Sequence, residues 1–476
     1  MTVIAIALFW ALLCFAWAKG SKGLVMLFFC MVPFGSFAVI PTAIVGGLTL
    51  VPSKVVAIAL IAHTLLRPGG FDFYMSLLTP KRFLFLFLFF CAAAITTIFM
   101  PRLFAGQIEV VALRVGPGSS LGFLQPSAQN FSQIAHLSVG IATAFAFVRV
   151  LSEPGMREFA LKALTAQAIV LTVTGVLDFL SVYLPTAVIL EPFRNASYAL
   201  LTGAQIQGLK RTVGLMPEAS SFGALCVLTA SLLLFLRHAV EDYFYRDTLI
   251  PVVLCALLIL TAISTSSSAY VGLGSMLFGA MIYWGWRNLL PVSDSRREGI
   301  GIEAGIVVMA FGVIAFGMLT FPHFFEPVWS MIDETILQKS QSSSFEERSM
   351  WTDVSLQAFW DSNLLGVGLG GTRASNSFVA MISNVGVFGA FFFYAALLQH
   401  LFFRKAPTND PNGRAVLVGV RIGYLPTLVM GLLAQTGVGF SYFDAFLFGL
   451  TLSISMDREV ERSAFYRNRK LQSVGA

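Results

Sequence analysis

The chemistry this sequence can offer rests on three arginines and one glutamate: Arg211, Arg348, Arg373 and Glu218. A guanidinium is always charged and grips phosphate oxygens through paired N–H donors. Arginines placed where a bilayer meets solvent therefore suit a lipid-linked diphosphate. Arg194 and Arg114 are further candidates of the same kind, and Lys210 stands beside Arg211. In Lys210-Arg-Thr-Val-Gly-Leu-Met-Pro-Glu-Ala-Ser-Ser221 a loop runs into a helix, with Pro217 just before Glu218. A carboxylate there has a plain role, stabilising the helix dipole. Beside a phosphate-binding Arg211, the same carboxylate is placed to act as a general base. Ser264-Thr-Ser-Ser-Ser268 is either a hydroxyl-rich lining for a sugar or a polar hairpin between two spans.

Several other chemistries are excluded. No glycine-rich loop ends in Lys-Ser/Thr, so ATP hydrolysis has no site. The 5 His are scattered, no metal-ligand pair appears among them, and no Asp-x-Asp exists for a metal-bound nucleotide sugar. The expected site is therefore free of metal and cofactor. Gly366-Val-Gly-Leu-Gly-Gly371 has the composition of a dinucleotide loop but follows an amphipathic helix rather than a strand, and reads as a flexible loop. The 5 Cys all fall inside apolar segments and read as packing residues.

The elements that must position these residues are membrane spans. Of the 476 residues, 57% are hydrophobic and 12% charged, and mean hydropathy is +0.79. A soluble protein carries roughly 25% charged residues, so the apolar excess must face lipid. The net charge of +6 could suggest a nucleic-acid ligand, but the basic residues sit between apolar runs, where they set topology. Runs of about 17–25 apolar residues cross a bilayer. About thirteen are present, in an expected range of about 12–14, from Val3–Ala18 to Gly439–Met456. The Val3–Ala18 and Val420–Ala434 runs are short, and Ile300–Phe321 is among the later ones. The first run lacks the basic start of a signal peptide and reads as a retained span.

The fold class expected is an all-α polytopic membrane protein, residues 1–476 forming one membrane domain. Cytoplasmic loops collect Lys and Arg. Threading the C-terminus inside leaves only Lys54, Arg102, Arg114, Arg194, Lys210, Arg211, Lys339, Arg348 and Arg373 of the 31 outside. All but Lys54 lie in three long external loops, Pro101–Asn130, Pro185–Pro217 and Pro322–Ser375. Loops of that length carry function or their own structure. Within the last, Phe345–Phe359 reads as an amphipathic helix along the membrane surface.

In that loop Arg348, Trp351, Asn363-Leu-Leu-Gly-Val-Gly-Leu-Gly370 and Asn376 together resemble the signature of the O-antigen ligase and Wzy-type polymerase superfamily, which includes exopolysaccharide polymerases. Its ligases show His, then Asn, Ser or Gln, nine residues, Gly, two residues, and Gly, Thr or Tyr. Here Ser375-Asn376 precedes residues 377–385 and Gly386-Val-Phe-Gly389, so the spacing matches while Ser375 stands in place of His. The Arg211–Glu218 segment is similar to an Arg-containing, Glu-Pro-Ser-like element of polysaccharide polymerases, with Glu-Ala-Ser here.

The resemblance implies glycan transfer from undecaprenyl diphosphate at the periplasmic face of the bacterial inner membrane, without metal or nucleotide. Glu218, Arg211 and Arg348 would be catalytic; Arg373, Arg194, Arg114, Lys210, Trp351, Asn376 and Ser375 would bind substrate. The implied partners are the undecaprenyl-diphosphate-linked oligosaccharide, the lipid bilayer and a chain-length regulator or export complex, with no nucleic acid. Serine cannot replace histidine as a base, which favours a polymerase over a ligase acting on lipid A core or protein. A flippase of lipid-linked glycan is the third reading. It would need buried charges around a central cavity, whereas Asp178 is nearly the only acid within a predicted span.

Overall fold

A computed structural model of the protein describes residues 2–40, 49–112, 121–196, 200–203, 205–206, 209–289 and 343–457. The apolar runs become helices because a bilayer leaves backbone polar groups no partner but one another. In chain order the described helices begin with α1 (Thr2–Ala18), α2 (Gly20–Met31), α3 (Pro52–Leu65), α4 (Gly70–Ser76) and α5 (Leu84–Leu103). A two-stranded antiparallel hairpin follows, β1 (Glu109–Val111) with β2 (Leu121–Phe123). Then come α6 (Ala128–Leu151), α7 (Met156–Leu180) and the short α8 (Ala187–Leu190), before the ladder β3 (Gln205–Ile206) and β4 (Leu209–Lys210). The rest are α9 (Ala219–Leu236), α10 (Ile250–Ile263), α11 (Ser267–Leu289), α12 (Ser343–Asp361), α13 (Ser377–Leu398), α14 (Pro411–Gly423), α15 (Leu425–Ala434) and α16 (442–457).

Seven of these segments are long and apolar enough to cross a membrane, and an eighth forms if the bent pair α3–α4 counts as one span. The protein is thus an all-α, multi-pass membrane protein. The shorter α1 and α2 account for part of the difference from the expected count, and the expected span Ile300–Phe321 lies outside the described residues. The run expected at Leu24–Ile40 stops being helical at Met31, because Pro33 offers no N–H to continue the ladder. The short run at Val420–Ala434 is the second half of a longer span, Pro411–Ala434, divided at Tyr424 with Pro426 opening the second half.

Large apolar side chains cover the lipid-facing surface, among them Val252, Ile259, Phe388 and Phe391, each more than 60% exposed. Between the helices Phe28, Phe29, Phe147 and Phe446 meet edge to face with centroids 5.1–5.5 Å apart. Such offset quadrupoles add to simple burial. Gly449 of α16 lies where a Cβ would come within 2.5 Å of Phe147, so the small residue is what lets α6 and α16 close together.

The helix ends sort the charges into two layers. At one end Arg67 pairs with Glu153, Lys162 with Glu158 and Asp242, and Arg157 with Asp457. At the other end the segments 32–40, 191–196 and 209–217 lie against one another. Ser36 N–H donates to Leu215 O at 2.8 Å, and Asn195 Oδ1 accepts from Ala38 N–H at 2.7 Å. The amphipathic helix of the late loop is real and spans α12. It is docked on the protein rather than simply laid on a surface: Trp351, Ser355, Ala358, Phe359 and Ser362 are buried in a stripe facing α13 and β1.

Candidate functional site

Helix α13 is interrupted at Gly386, and its N-terminal half carries one wall of the site at its head. Gly386 sits at φ 69°, ψ −177°, with residues 377–385 between it and the capping Asn376. A break strands carbonyls above it and N–H groups below it. The segment 364–371 takes both: Val367 and Gly368 N–H donate to Ser383 and Asn384 carbonyls at 2.8 and 2.9 Å, and Val387 N–H donates to Leu364 O at 3.0 Å. Leu364 holds φ 67° to do so. The Asn384 side chain accepts from Gly370 N–H at 3.1 Å and donates to Thr372 O at 3.1 Å.

This geometry corrects the reading of the glycine run as a flexible loop. Gly366, Gly368 and Gly370 hold φ of 80°, 86° and 76°, and a Cβ on Gly386 would overlap Leu365 O. Every N–H from Gly366 to Gly371 is bonded to Ser362, Ser383, Asn384, Thr97 or Gly368. None remains to cradle a phosphate. The run is a strap across the broken helix.

At the other end of that half-helix, around Asn376, a cavity of about 380 Å³ opens between α11, α12, α13 and α15. Its polar wall has Ser267 and Ser268 at the start of α11, Arg348, Ser349, Thr352 and Asp353 along one face of α12, and Ser375 and Asn376 at the head of α13. Its apolar wall is Val271, Phe345, Leu432 and Leu433. Among the described residues, the Arg348 guanidinium and the Asp353 carboxylate have no side-chain partner. A half-buried guanidinium with no ion pair among the described residues, ringed by hydroxyls, has the chemistry to bind an anion.

The other residues of this loop have structural duties. Asn376 caps α13, its Oδ1 accepting from Phe378 and Val379 N–H at 2.9 and 3.2 Å. Ser375 N–H donates to Thr352 Oγ1 at 3.1 Å and its hydroxyl to Leu433 O at 3.4 Å, joining α12 to α15 across the cavity floor. Arg373 lies over the Trp351 ring, 3.6 Å from its centroid. Burial pushes the Arg373 guanidinium below its ordinary pKa, while Glu347 opposes the shift. This pair packs outside the cavity wall, so Arg373 and Trp351 brace α12 rather than line the site.

The loop before α9 holds the second arginine. Asp178, fully buried at the end of α7, organises it. Its Oδ1 meets Arg194 Nη2 and Lys210 Nζ, each at 2.8 Å, and its Oδ2 accepts from Val213 and Gly214 N–H at 2.7 and 3.2 Å. Arg194 also donates to Gly214 O at 2.8 Å, and Lys210 to Ser181 Oγ at 2.7 Å. Both cations expected to bind substrate are therefore taken by Asp178, and neither faces the cavity. The sequence signal was there, since an acid within a span needs a partner.

Arg211 escapes that hub. Its Nε donates to Thr265 Oγ1 at 3.1 Å and its Nη2 to Thr265 O at 3.0 Å. Thr265 holds φ 48°, a rare conformation for a β-branched residue, in the same turn that delivers Ser267 and Ser268 to the cavity. Burial pushes the Arg211 guanidinium below its ordinary pKa, Glu218 and Tyr270 oppose this, and the charge of Arg348 adds to it. The two arginines are thus within electrostatic reach of each other. Glu218 is the N-cap residue of α9, and its Oε1 accepts from the hydroxyls of Ser220 and, at 3.4 Å, Ser221.

Of the expected site residues the structure gathers Arg348, Ser375 and Asn376 in one cavity, with Arg211 and Glu218 behind its serine turn. Arg194, Lys210, Arg373 and Trp351 stand apart, and Arg114 lies outside the described residues. Asp353 was not singled out by the sequence, since five residues turn it about 140° from Arg348 on a helix; the fold brings both to the cavity lining. Asp444, hydrogen-bonded to Tyr424 and to Ser441 N–H at 2.7 Å, is a second buried acid in a span beside Asp178. No known family model matches the chain, and no curated protein matches it in sequence.

Proposed function

We propose that the protein is a polymerase joining undecaprenyl-diphosphate-linked oligosaccharide units into a surface polysaccharide at the periplasmic face of the inner membrane. The observation that carries this reading is Arg348, without an ion pair among the described residues, in a cavity lined by hydroxyls on one side and apolar side chains on the other. That division suits an amphiphile: isoprenoid against Leu432, Leu433 and Phe345, diphosphate at Arg348, sugar hydroxyls among Ser267, Ser268, Ser349 and Asn376. The resemblance of the late loop to ligases and polymerases adds the reaction class.

In the reaction proposed, an acceptor hydroxyl oxygen bonds to the anomeric carbon of the donor glycan. The bond from that carbon to the diphosphate oxygen breaks, and its electron pair leaves with undecaprenyl diphosphate. Arg348, with Arg211 pre-oriented by Thr265, stabilises the charge that develops on the leaving oxygen. The hydroxyl proton passes to a carboxylate. Asp353 lines the cavity, whereas Glu218 is engaged by two serine hydroxyls, so Asp353 joins Glu218 as the candidate base. A chain-length regulator or export complex would act downstream of such an enzyme.

The test is chain extension in proteoliposomes supplied with undecaprenyl-diphosphate-linked repeat units. The expected products are a glycan ladder and free undecaprenyl diphosphate. Arg348→Ala is expected to slow extension about 10²–10³-fold, as loss of one charge-stabilising donor does. Unchanged chain length with scrambling of the lipid between leaflets would replace the polymerase reading by a flippase.

A further inference from the structure

Lys54 is the one cation on the loop-rich side that the sequence places outside the long loops, and no part of the site above uses it. It lies in the first turn of α3, two positions after the Pro52 that opens the helix. A cation is disfavoured there by the helix dipole. Its side chain is half-buried, and Nζ lies 3.2 Å from His136 Nε2 on α6. An ammonium has only donors, so His136 accepts as a neutral imidazole with its proton on Nδ1. Among the described residues no carboxylate comes within ion-pairing distance of Lys54, and His136 is its one side-chain partner. A lysine near a membrane boundary ordinarily extends its ammonium toward water. This one turns inward to a neutral ring.

The elements that hold the pair also contact segments that lead to the cavity. His136 is one turn before Gly140, which packs against Phe440 at the start of the segment leading into α16. Tyr442, the first residue of α16, lies within side-chain reach of Ser53, the neighbour of Lys54. The same stretch of chain leads back through Gln435 to Leu433 in the cavity wall. On the α6 face carrying His136, Gln129 and Gln133 touch Gly370 of the glycine strap.

We infer that Lys54 and His136 form a second anion subsite, which takes a phosphate group of the other lipid-linked chain while Arg348 holds the departing diphosphate. This rests on the polymerase reading, in which donor and acceptor both carry a diphosphate and two cationic sites must therefore coexist. Lys54 supplies the charge and remaining donors. His136 fixes the ammonium in place, and the start of α3 adds its positive end. Both residues are substrate-positioning groups, and no bond is made or broken at them.

The experiment counts undecaprenyl diphosphate molecules, lacking any glycan, bound per protein in nanodiscs of neutral lipid. Wild type is compared with Lys54→Gln, Lys54→Arg, His136→Gln and Arg348→Ala, each checked for an unchanged thermal midpoint. Two equivalents are expected for wild type. Lys54→Gln should weaken one of them at least about ten-fold, the scale of one lost charged hydrogen bond. Lys54→Arg should restore it, and Arg348→Ala should remove the other. Unchanged stoichiometry and affinity in a folded Lys54→Gln protein, with Arg348→Ala still losing one equivalent, overturns the subsite and leaves the polymerase reading standing. Loss at Lys54 with no effect at Arg348 keeps an anion site at Lys54 and removes the assignment of Arg348. If inorganic phosphate or phosphatidylglycerol displaces the Lys54-dependent ligand equally well, the site is a general phosphate or headgroup site, and its assignment to the second substrate chain fails.

Discussion

Replacing Asp178 by asparagine keeps the shape of the side chain and removes its charge, which isolates what the carboxylate does for the Arg211 loop. Asp178 has no exposed surface, and the side chains of Arg194 and Lys210 are 6% and 20% exposed, so solvent screens these contacts little. Removing one partner of a buried ion pair costs about 3–5 kcal/mol, because the remaining charge stays buried without compensation. Here two cations lose their shared partner. The amide nitrogen also turns a donor toward either those cations or the Val213 and Gly214 N–H groups. A loss of at least about 3 kcal/mol is expected, roughly two powers of ten in the folding equilibrium. The assay is unfolding by sodium dodecyl sulfate in mixed micelles for wild type, Asp178→Asn, Arg194→Met and the double variant. The double variant should recover part of the loss, giving a coupling energy above about 1 kcal/mol. Chain extension should fall with stability, since the hub fixes the backbone on both sides of Arg211. If Asp178→Asn unfolds within about 1 kcal/mol of wild type, or the cycle is additive within about 0.5 kcal/mol, the hub is not what holds this loop.

Substitutions at three further positions test the parts separately. Gly386→Ala places a Cβ against Leu365 O at a positive φ, and should lower stability by about 1–3 kcal/mol or more; an unchanged thermal midpoint would mean the helix break is not required. Asn376→Ala removes the cap of α13 and should cost about 1 kcal/mol, with a smaller effect on extension than Arg348→Ala; equal losses of extension would show that its contact with the sugar outweighs its cap. Thr265→Ala and Thr265→Gly both remove the hydroxyl that Arg211 bonds, but only glycine relieves the φ of 48°. Thermal melts should therefore rank the glycine variant above the alanine one, and the reverse order would refute strain at this turn.

What the sequence made legible was whatever is additive along a segment. Span positions follow from summed hydropathy over each run, and α5, α6, α7 and α9 fall within a few residues of where the apolar runs put them. Failures came where one residue overrides the sum, as Pro33 does by ending α2 inside an apolar stretch. The site was legible in residue type but not in partnership. Arg194, Lys210 and Arg348 look alike in sequence, each a cation in a long loop. Only the fold shows that two of them share Asp178 while Arg348 lines a cavity with no ion pair among the described residues. The contacts that separate them join residues 178, 194 and 210 through a returning loop, and no local pattern encodes that return. The serine turn at 264–268 is the opposite case. Its plainer reading, a polar hairpin between two spans, holds, since it joins α10 to α11, and the fold adds that Ser267 and Ser268 line a cavity beside α12 and α13.

The spacing from Asn376 to Gly386 acquires a physical meaning from this geometry. Ten residues of α-helix rise about 15 Å, and that length separates the cap at the cavity from the break where the glycine strap docks. Asn384 connects the two ends of the device: its backbone carbonyl and side chain hold Gly368, Gly370 and Thr372, and Thr372 leads within three residues to Ser375. Lengthening the half-helix by one residue would rotate Asn384 by about 100° and take its amide off the strap. The strap would then lose its hold on Thr372, and Ser375 its bond to Thr352 beside Arg348. A fixed interval between a capping polar residue and a helix-breaking glycine is therefore a constraint on the position of the cavity wall, one that holds whether position 375 carries serine or histidine.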